Sequence, residues 1–385
     1  MVALAALLLS VVSCRANDEV PESMDVYIGT YTQGDSEGIY LLGLNMKTGE
    51  LTNRGLAAKC EQPSFVAIHP NRNFLYAVGE YGSFGTEDAG AIVAFSIDAQ
   101  SGELTELNKV SSGGPGPCHL VVDAAGGVVL AANYGGGSVC SVEIKDDGAL
   151  GAMRTFVQHT GSSVDERRQR GPHAHSINVD PANRFAFAAD LGLDKVLVYR
   201  FDAEKGTLEA NDPPSVSITP GGGPRHFAFH PGGRFAWVLQ EMTSRVTGFA
   251  YDADAGVLSA METLSTLPSD HETSLDGSAV GNSTAEVQVS PSGRFLYASN
   301  RGHDSIVVYA IDQQTGKLTY VENEKTGGRT PRNFGIDPTG AYLLAANQST
   351  GSVVVFRIDA ETGALEPTGE RVDLPSPVCV KFIPR

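Results

Sequence analysis

The chain is a succession of short apolar runs bounded by Gly, Pro, Asn or Asp, and the runs fall into a fixed order. One unit starts with Pro63-Ser-Phe-Val-Ala-Ile-His-Pro70, a Pro-led apolar stretch that ends in a turn. Phe74-Leu-Tyr-Ala-Val78 follows, then Ala91-Ile-Val-Ala-Phe-Ser-Ile-Asp98, then the turn Ser101-Gly-Glu-Leu104 into a short last run. Brief runs rich in β-branched and aromatic residues and closed by turn formers predict β-strands. Four of them make a unit of about 50 residues, which returns at Pro117, Pro172, Pro224, Thr284 and Pro331. The turn before the fourth strand recurs as Lys205-Gly-Thr-Leu208, Ala255-Gly-Val-Leu258, Thr315-Gly-Lys-Leu318 and Thr362-Gly-Ala-Leu365. Its glycine is expected to supply a positive φ.

The chain ends hold one further unit in two pieces. Pro377-Val-Cys-Val-Lys-Phe-Ile383 reads as a first strand without a continuation, whereas Val26–Thr30, Gly38–Leu44 and Thr48-Gly-Glu-Leu51 read as later strands without a first. Joining them removes an exposed sheet edge, which a linear solenoid with polar caps would not require. The pattern predicts an all-β, seven-bladed β-propeller over residues 26–385, closed by pairing the N- and C-terminal strands. Three insertions interrupt the rhythm, Tyr81 to Gly90, Gln158 to Gly171 and Leu267 to Ser283, and loops of this length in a compact domain are functional or mobile.

Composition agrees with many short strands and tight turns: 41% hydrophobic and 19% charged residues, with 44 Gly and 20 Pro. The formal charge of −17 argues against a nucleic-acid or anionic-membrane partner, and an anionic small molecule would need a local cationic pocket. Residues 1–25 read as a short export segment and linker. The apolar run before Val11-Val12-Ser13-Cys14 resembles a lipoprotein signal, with Cys14 as the lipid-carrying residue. This predicts a periplasmic or membrane-anchored protein; if the segment is not a signal, the location is cytoplasmic. Cys60, Cys118, Cys140 and Cys379 show no CxxC spacing and read as buried free thiols.

A propeller gathers equivalent positions of every blade round one channel, so candidate chemistry is sought by register. The turn after each first strand supplies the zero: Pro70, Ala124, Pro181, Pro231, Pro291 and Pro338. Six residues upstream stand Ser64, Cys118, His175, Arg225, Ala285 and Arg332; ten downstream stand Glu80, Tyr134, Leu191, Glu241, Arg301 and Gln348. Both sets fall near one end of the channel. Their charges can be inter-blade salt bridges, but the excess of Arg in an acidic protein points to an anion site, because guanidinium grips carboxylate or phosphate bidentately. His173 and His175 stand at i and i+2, and His119 and His226 adjoin the upstream set. With neither HExxH nor a Cys pair beside them, they point to acid–base chemistry without a metal or cofactor. No GxSxG elbow or P-loop is present.

Several stretches in order, Gly171-Pro-His-Ala-His-Ser176, Asp190-Leu-Gly-Leu-Asp-Lys-Val196, Gly223-Pro-Arg-His226, Glu241 and Tyr297-Ala-Ser-Asn-Arg-Gly-His-Asp-Ser305, make the chain from about Val26 to Ile383 resemble the seven-bladed propeller lactonases. That family includes 6-phosphogluconolactonases and carboxymuconate lactonizing enzymes. The resemblance implies catalytic roles for His175, Arg225, Glu241 and Arg301; the register and spacing add His173, His226, Arg332 and Glu80 as substrate-binding candidates. It further implies metal-independent hydrolysis of a sugar-derived, anionic lactone, in which His175 or Glu241 activates water. A lactonizing cycloisomerase and a non-catalytic envelope propeller are the alternatives. The last of these is expected to lock Glu241 and Arg301 together with no open cavity beside His175.

Overall fold

The computed structural model describes residues 21–272 and 280–385. Residues 1–20, Cys14 among them, lie outside the described residues, as does part of the third insertion; of the predicted export segment and linker only 21–25 are described, and Ser23–Asp25 already belong to a strand. The described chain forms seven four-stranded antiparallel sheets. Six are consecutive in sequence, and the seventh joins Pro377–Pro384 to Ser23–Thr30, Gly38–Asn45 and Leu51–Lys59.

Burial falls off from the second strand of each blade to the fourth at the rim, which explains how each run chose its place. The second strands, such as Val128–Asn133, Phe185–Asp190, Phe235–Gln240 and Tyr342–Asn347, are buried along their whole length. Packed on both faces by neighbouring blades, they read as nearly unbroken apolar runs. The fourth strands are far more exposed: Leu104–Ser111 keeps its first residue buried and exposes most of the rest. Apolar clusters bridge adjacent blades; one contains Phe187, Val198, Phe227 and Phe249. The expected glycine turns are present, and Gly206, Gly256, Gly316 and Gly363 all have φ between 67° and 76°.

Closure follows the predicted pairing. Pro377–Pro384 lies antiparallel to Ser23–Thr30, from Met24 opposite Pro384 to Thr30 opposite Pro377. Buried Asp25 pins the seam, accepting hydrogen bonds from Arg385 at 2.7 Å and from Arg54.

The inner strands share an irregularity that matters for function. Pairing with the second strand shifts register between Pro117 and His119, Ala174 and Ser176, Pro224 and Phe227, Thr284 and Val287, and Pro331 and Asn333. A bulge breaks the strict alternation of side chains and re-aims one of them. In these blades the bulge falls at the start of the inner strand, so one end of the channel is lined by the residues just after the Pro or its equivalent; Val66–Ile68 pairs without one.

Candidate active site

Five of the residues singled out in the upstream register, Ser64, Cys118, His175, Arg225 and Arg332, line one narrow space at that end, together with Glu80, Tyr31 and Val378. Val378 occupies in the split blade the position that Arg332 occupies in its own, one residue into the inner strand. The space measures about 10 Å³, room for about one water molecule.

Glu241 is the hub of one side. Arg225 donates from Nε to its Oε2 at 3.0 Å, and an Arg301 terminal nitrogen lies 3.1 Å from the same oxygen. Arg168 donates to Oε1 at 2.8 Å, and His175 Nε2 lies 3.9 Å from Oε2. Glu241 and Arg225 are 6% and 2% exposed, so charge this deep must be paired. Burial pushes the Glu241 carboxyl up, but the guanidiniums of Arg301 and Arg225 and the Arg168 contact overcome it and hold the group at about 2. Arg301 is lowered to about 10 by burial and by Arg225. Burial, then Arg225, pushes His175 well below the ordinary imidazole range, leaving a neutral ring at pH 7. Its neighbour Cys118 donates to the His175 carbonyl oxygen at 3.3 Å.

Across the space stands a second carboxylate in a different setting. Glu80 accepts hydrogen bonds from the Ser64 hydroxyl and, at 3.1 Å, from the Tyr31 hydroxyl. Arg332 donates to Tyr31 at 3.0 Å and lies over its ring, rather than pairing with Glu80. Burial raises the Glu80 carboxyl, and the Ser64 bond and Arg332 only partly offset this.

The two remaining candidates spend their ring nitrogens elsewhere. His173 stacks on Tyr134 with centroids 4.7 Å apart and bonds the Tyr134 carbonyl oxygen through Nδ1 at 2.9 Å, so it braces the rim. His226 borders the space but turns its Nδ1 down the channel, 2.9 Å from Glu286, with its ring 5.2 Å from His119. Of the four cysteines among the described residues, all free thiols, Cys118, Cys140 and Cys379 are buried, whereas Cys60 is only partly so.

Two contributors escaped the sequence reading. Tyr31 follows its strand as Glu80 and Glu241 follow theirs, but the split blade has no turn from which to count. Arg168 lies in the second insertion and so outside any register; its side chain is 43% exposed, reaches inward to Glu241 and also donates to Tyr134 Oη at 3.1 Å. The insertion itself was the signal. Among the described residues, no group of three or more His, Cys, Asp or Glu side chains is arranged to hold a metal ion.

Similarity to known proteins agrees with this geometry. Residues 25–382 match the family model described as lactonase, 7-bladed beta-propeller. The chain is 39% identical over 357 residues to a Bacillus subtilis protein named 6-phosphogluconolactonase, covering 93% of this chain and 97% of that one. A Formosa agariphila protein of the same name is 32% identical, with 81% and 86% covered. Among solved structures, the periplasmic gluconolactonase of Pseudomonas aeruginosa superposes with a TM-score of 0.85 at 31% identity, covering 94% of this chain and 99% of that one. Fold, channel-end cluster and relatives agree, and the chain belongs to the seven-bladed β-propeller lactonase family.

Proposed function

We propose that this protein hydrolyses a sugar-derived lactone bearing an anionic group, of the 6-phosphogluconolactone kind, using side chains alone. The observation that carries the reading is the convergence of Arg168, Arg225 and Arg301 on one buried carboxylate, in a chain whose relatives are named for lactone hydrolysis. Planar guanidinium donors suit both ends of such a substrate. Arg301 and the half-exposed Arg168 stand where an incoming phosphate or carboxylate is met, and Arg225 lies deeper, where it can face the oxyanion that forms when water adds to the ring carbonyl. Glu241 keeps the three cations together against their mutual repulsion. Neutral His175 can hydrogen-bond either water or a ring hydroxyl.

A second reading has a specific observation behind it. Glu241 and Arg301 are paired at 3.1 Å and the space beside His175 is small, as expected of a non-catalytic binding propeller. The catalytic reading accommodates both facts if Arg168 exchanges Glu241 for the substrate's anion and opens the mouth. Acid release from gluconolactone and 6-phosphogluconolactone in EDTA separates the two. Turnover of both, with the lower KM for the phosphorylated lactone, is expected; binding of the sugar acids without turnover of either lactone would assign the chain to the binding reading.

The proposal extends to location: the chain is exported and anchored through a lipid on Cys14. Labelled fatty acid incorporated into the intact chain and lost in Cys14→Ser would support this, and an unlabelled chain in the soluble cytoplasmic fraction would contradict it.

A further inference from the structure

Two carboxylates reach the same end of the channel, and their surroundings divide the work between them. Glu241 receives three guanidinium groups, so both of its oxygens are already committed to cations. Glu80 receives only hydroxyl donors, from Ser64 and Tyr31, and has no guanidinium or ammonium nitrogen within ion-pair distance among the described residues. It also walls the one-water space, whose other charged and titratable walls are Arg225, Arg332, His175, His226, Cys118 and Tyr31. Arg225 is common to both halves: it holds Glu241 and faces this space.

We propose that Glu80 is the general base of the reaction, taking the proton from a hydrolytic water held in this space beside Arg225. The assignment rests on the lactonase reading and replaces His175 and Glu241 as the group that activates water. A lactone whose carbonyl oxygen turns to Arg225 presents its carbon to that water. As the water oxygen bonds to the carbonyl carbon, one water O–H breaks and its proton passes to Glu80. The tetrahedral oxyanion then collapses, the ring C–O bond breaks, and the departing alkoxide takes the proton back from Glu80 as a hydroxyl. The carboxylic acid product ionises to solvent, and Glu80 is again a carboxylate.

The environment suits this cycle. A carboxylate raised by burial is a stronger base than one held down by three cations, and two groups whose environments push them apart are the mark of divided acid–base roles. Ser64 and Tyr31 orient the carboxylate without neutralising it.

The test compares kcat and KM between pH 4 and 8, with uncatalysed hydrolysis subtracted, for the unmodified protein, Glu80→Gln and Ser64→Ala. Glu80→Gln is expected to lower kcat by about 10²–10⁴-fold, to leave KM within about threefold, and to abolish the acid limb of the rate profile. Ser64→Ala removes a donor that favours the ionised carboxylate, so it should move the acid limb to higher pH. Should Glu80→Gln fail to fold, as judged by its thermal melt, the Ser64→Ala limb decides. A folded Glu80→Gln with unmodified kcat, or an acid limb that Ser64→Ala does not move, overturns the assignment and leaves lactonase activity standing. Lack of turnover in the unmodified protein rejects the lactonase reading, and this assignment with it.

Discussion

The turn before the fourth strand is nearly the same in every blade, whereas the positions round the channel mouth vary from blade to blade. At the rim, Gly49, Gly102, Gly148, Gly206, Gly256, Gly316 and Gly363 all adopt positive φ. Several of them sit on an aromatic ring of the adjacent blade: an added Cβ on Gly256 would come within 2.4 Å of the Phe185 ring. At the mouth, the equivalent positions are Ser64, Cys118, His175, Arg225, Ala285, Arg332 and Val378. Repetition therefore marks architecture, because each blade solves the same packing problem. Departure from repetition at a fixed register marks chemistry, because one ligand meets all the blades at once.

Changes at the rim and seam should then act on stability, and changes at the mouth on turnover. The largest effect is expected from ending the chain at Ser376. This removes the strand that pairs with Ser23–Thr30, so the seventh blade loses its inner strand and the ring its closure. The truncated chain should lose its cooperative thermal transition; a melt like that of the full chain would show that the seam is dispensable.

Next in size is Gly256→Val, which places a β-branched side chain at φ 67° and against Phe185. A loss of about 2–4 kcal/mol in denaturant unfolding is expected, with kcat of the folded fraction unchanged. A fall in kcat without a fall in stability would erase the distinction between rim and mouth.

A smaller effect tests the polar layer below the mouth. Burial raises Glu286 to about 6, with Lys381 and His119 opposing. The unfolded chain gives up this proton near the ordinary Glu value, so between about pH 4.5 and 6 the folded state holds the extra proton. Stability should therefore fall as pH rises through that window, by up to about 2 kcal/mol from this group, and then level off. Glu286→Gln should flatten this part of the unfolding profile; an unchanged slope would place its origin elsewhere.

The smallest expected effect is at Arg168, which is half-exposed and belongs to no blade. Arg168→Ala should raise KM for the phosphorylated lactone about tenfold, equivalent to about 1.4 kcal/mol, while KM for the uncharged lactone and the melting temperature stay near their unmodified values. Equal changes in KM for both substrates would remove Arg168 from anion recognition.

The blades and their closure were legible because burial on both faces leaves a nearly unbroken apolar run, and tight turns leave a glycine, in every copy. The mouth was legible only as far as the register could be counted. His175, Arg225, Glu241, Arg301, Glu80 and Arg332 could be placed there, but the register did not distinguish a carboxylate clamped by three arginines from one held by two hydroxyls. That difference depends on side-chain direction, which the bulges at the inner strands reset. The bulge in that strand also sends the polar atoms of neighbouring Arg225 and His226 to different partners, Glu241 and Glu286. Tyr31 and Arg168 lay outside the count, one on the split blade and one on an insertion.

The most direct measurement is the rate of 6-phosphogluconolactone hydrolysis in EDTA by the unmodified protein and by Arg225→Ala, Arg301→Ala, each confirmed as folded by its melt. Removal of both guanidiniums should lower kcat/KM by at least about 10²-fold while the unmodified protein keeps its activity in the chelator. Equal rates for the two proteins, or loss of the unmodified activity in EDTA, would contradict a lactonase built on the arginine cluster at the channel mouth.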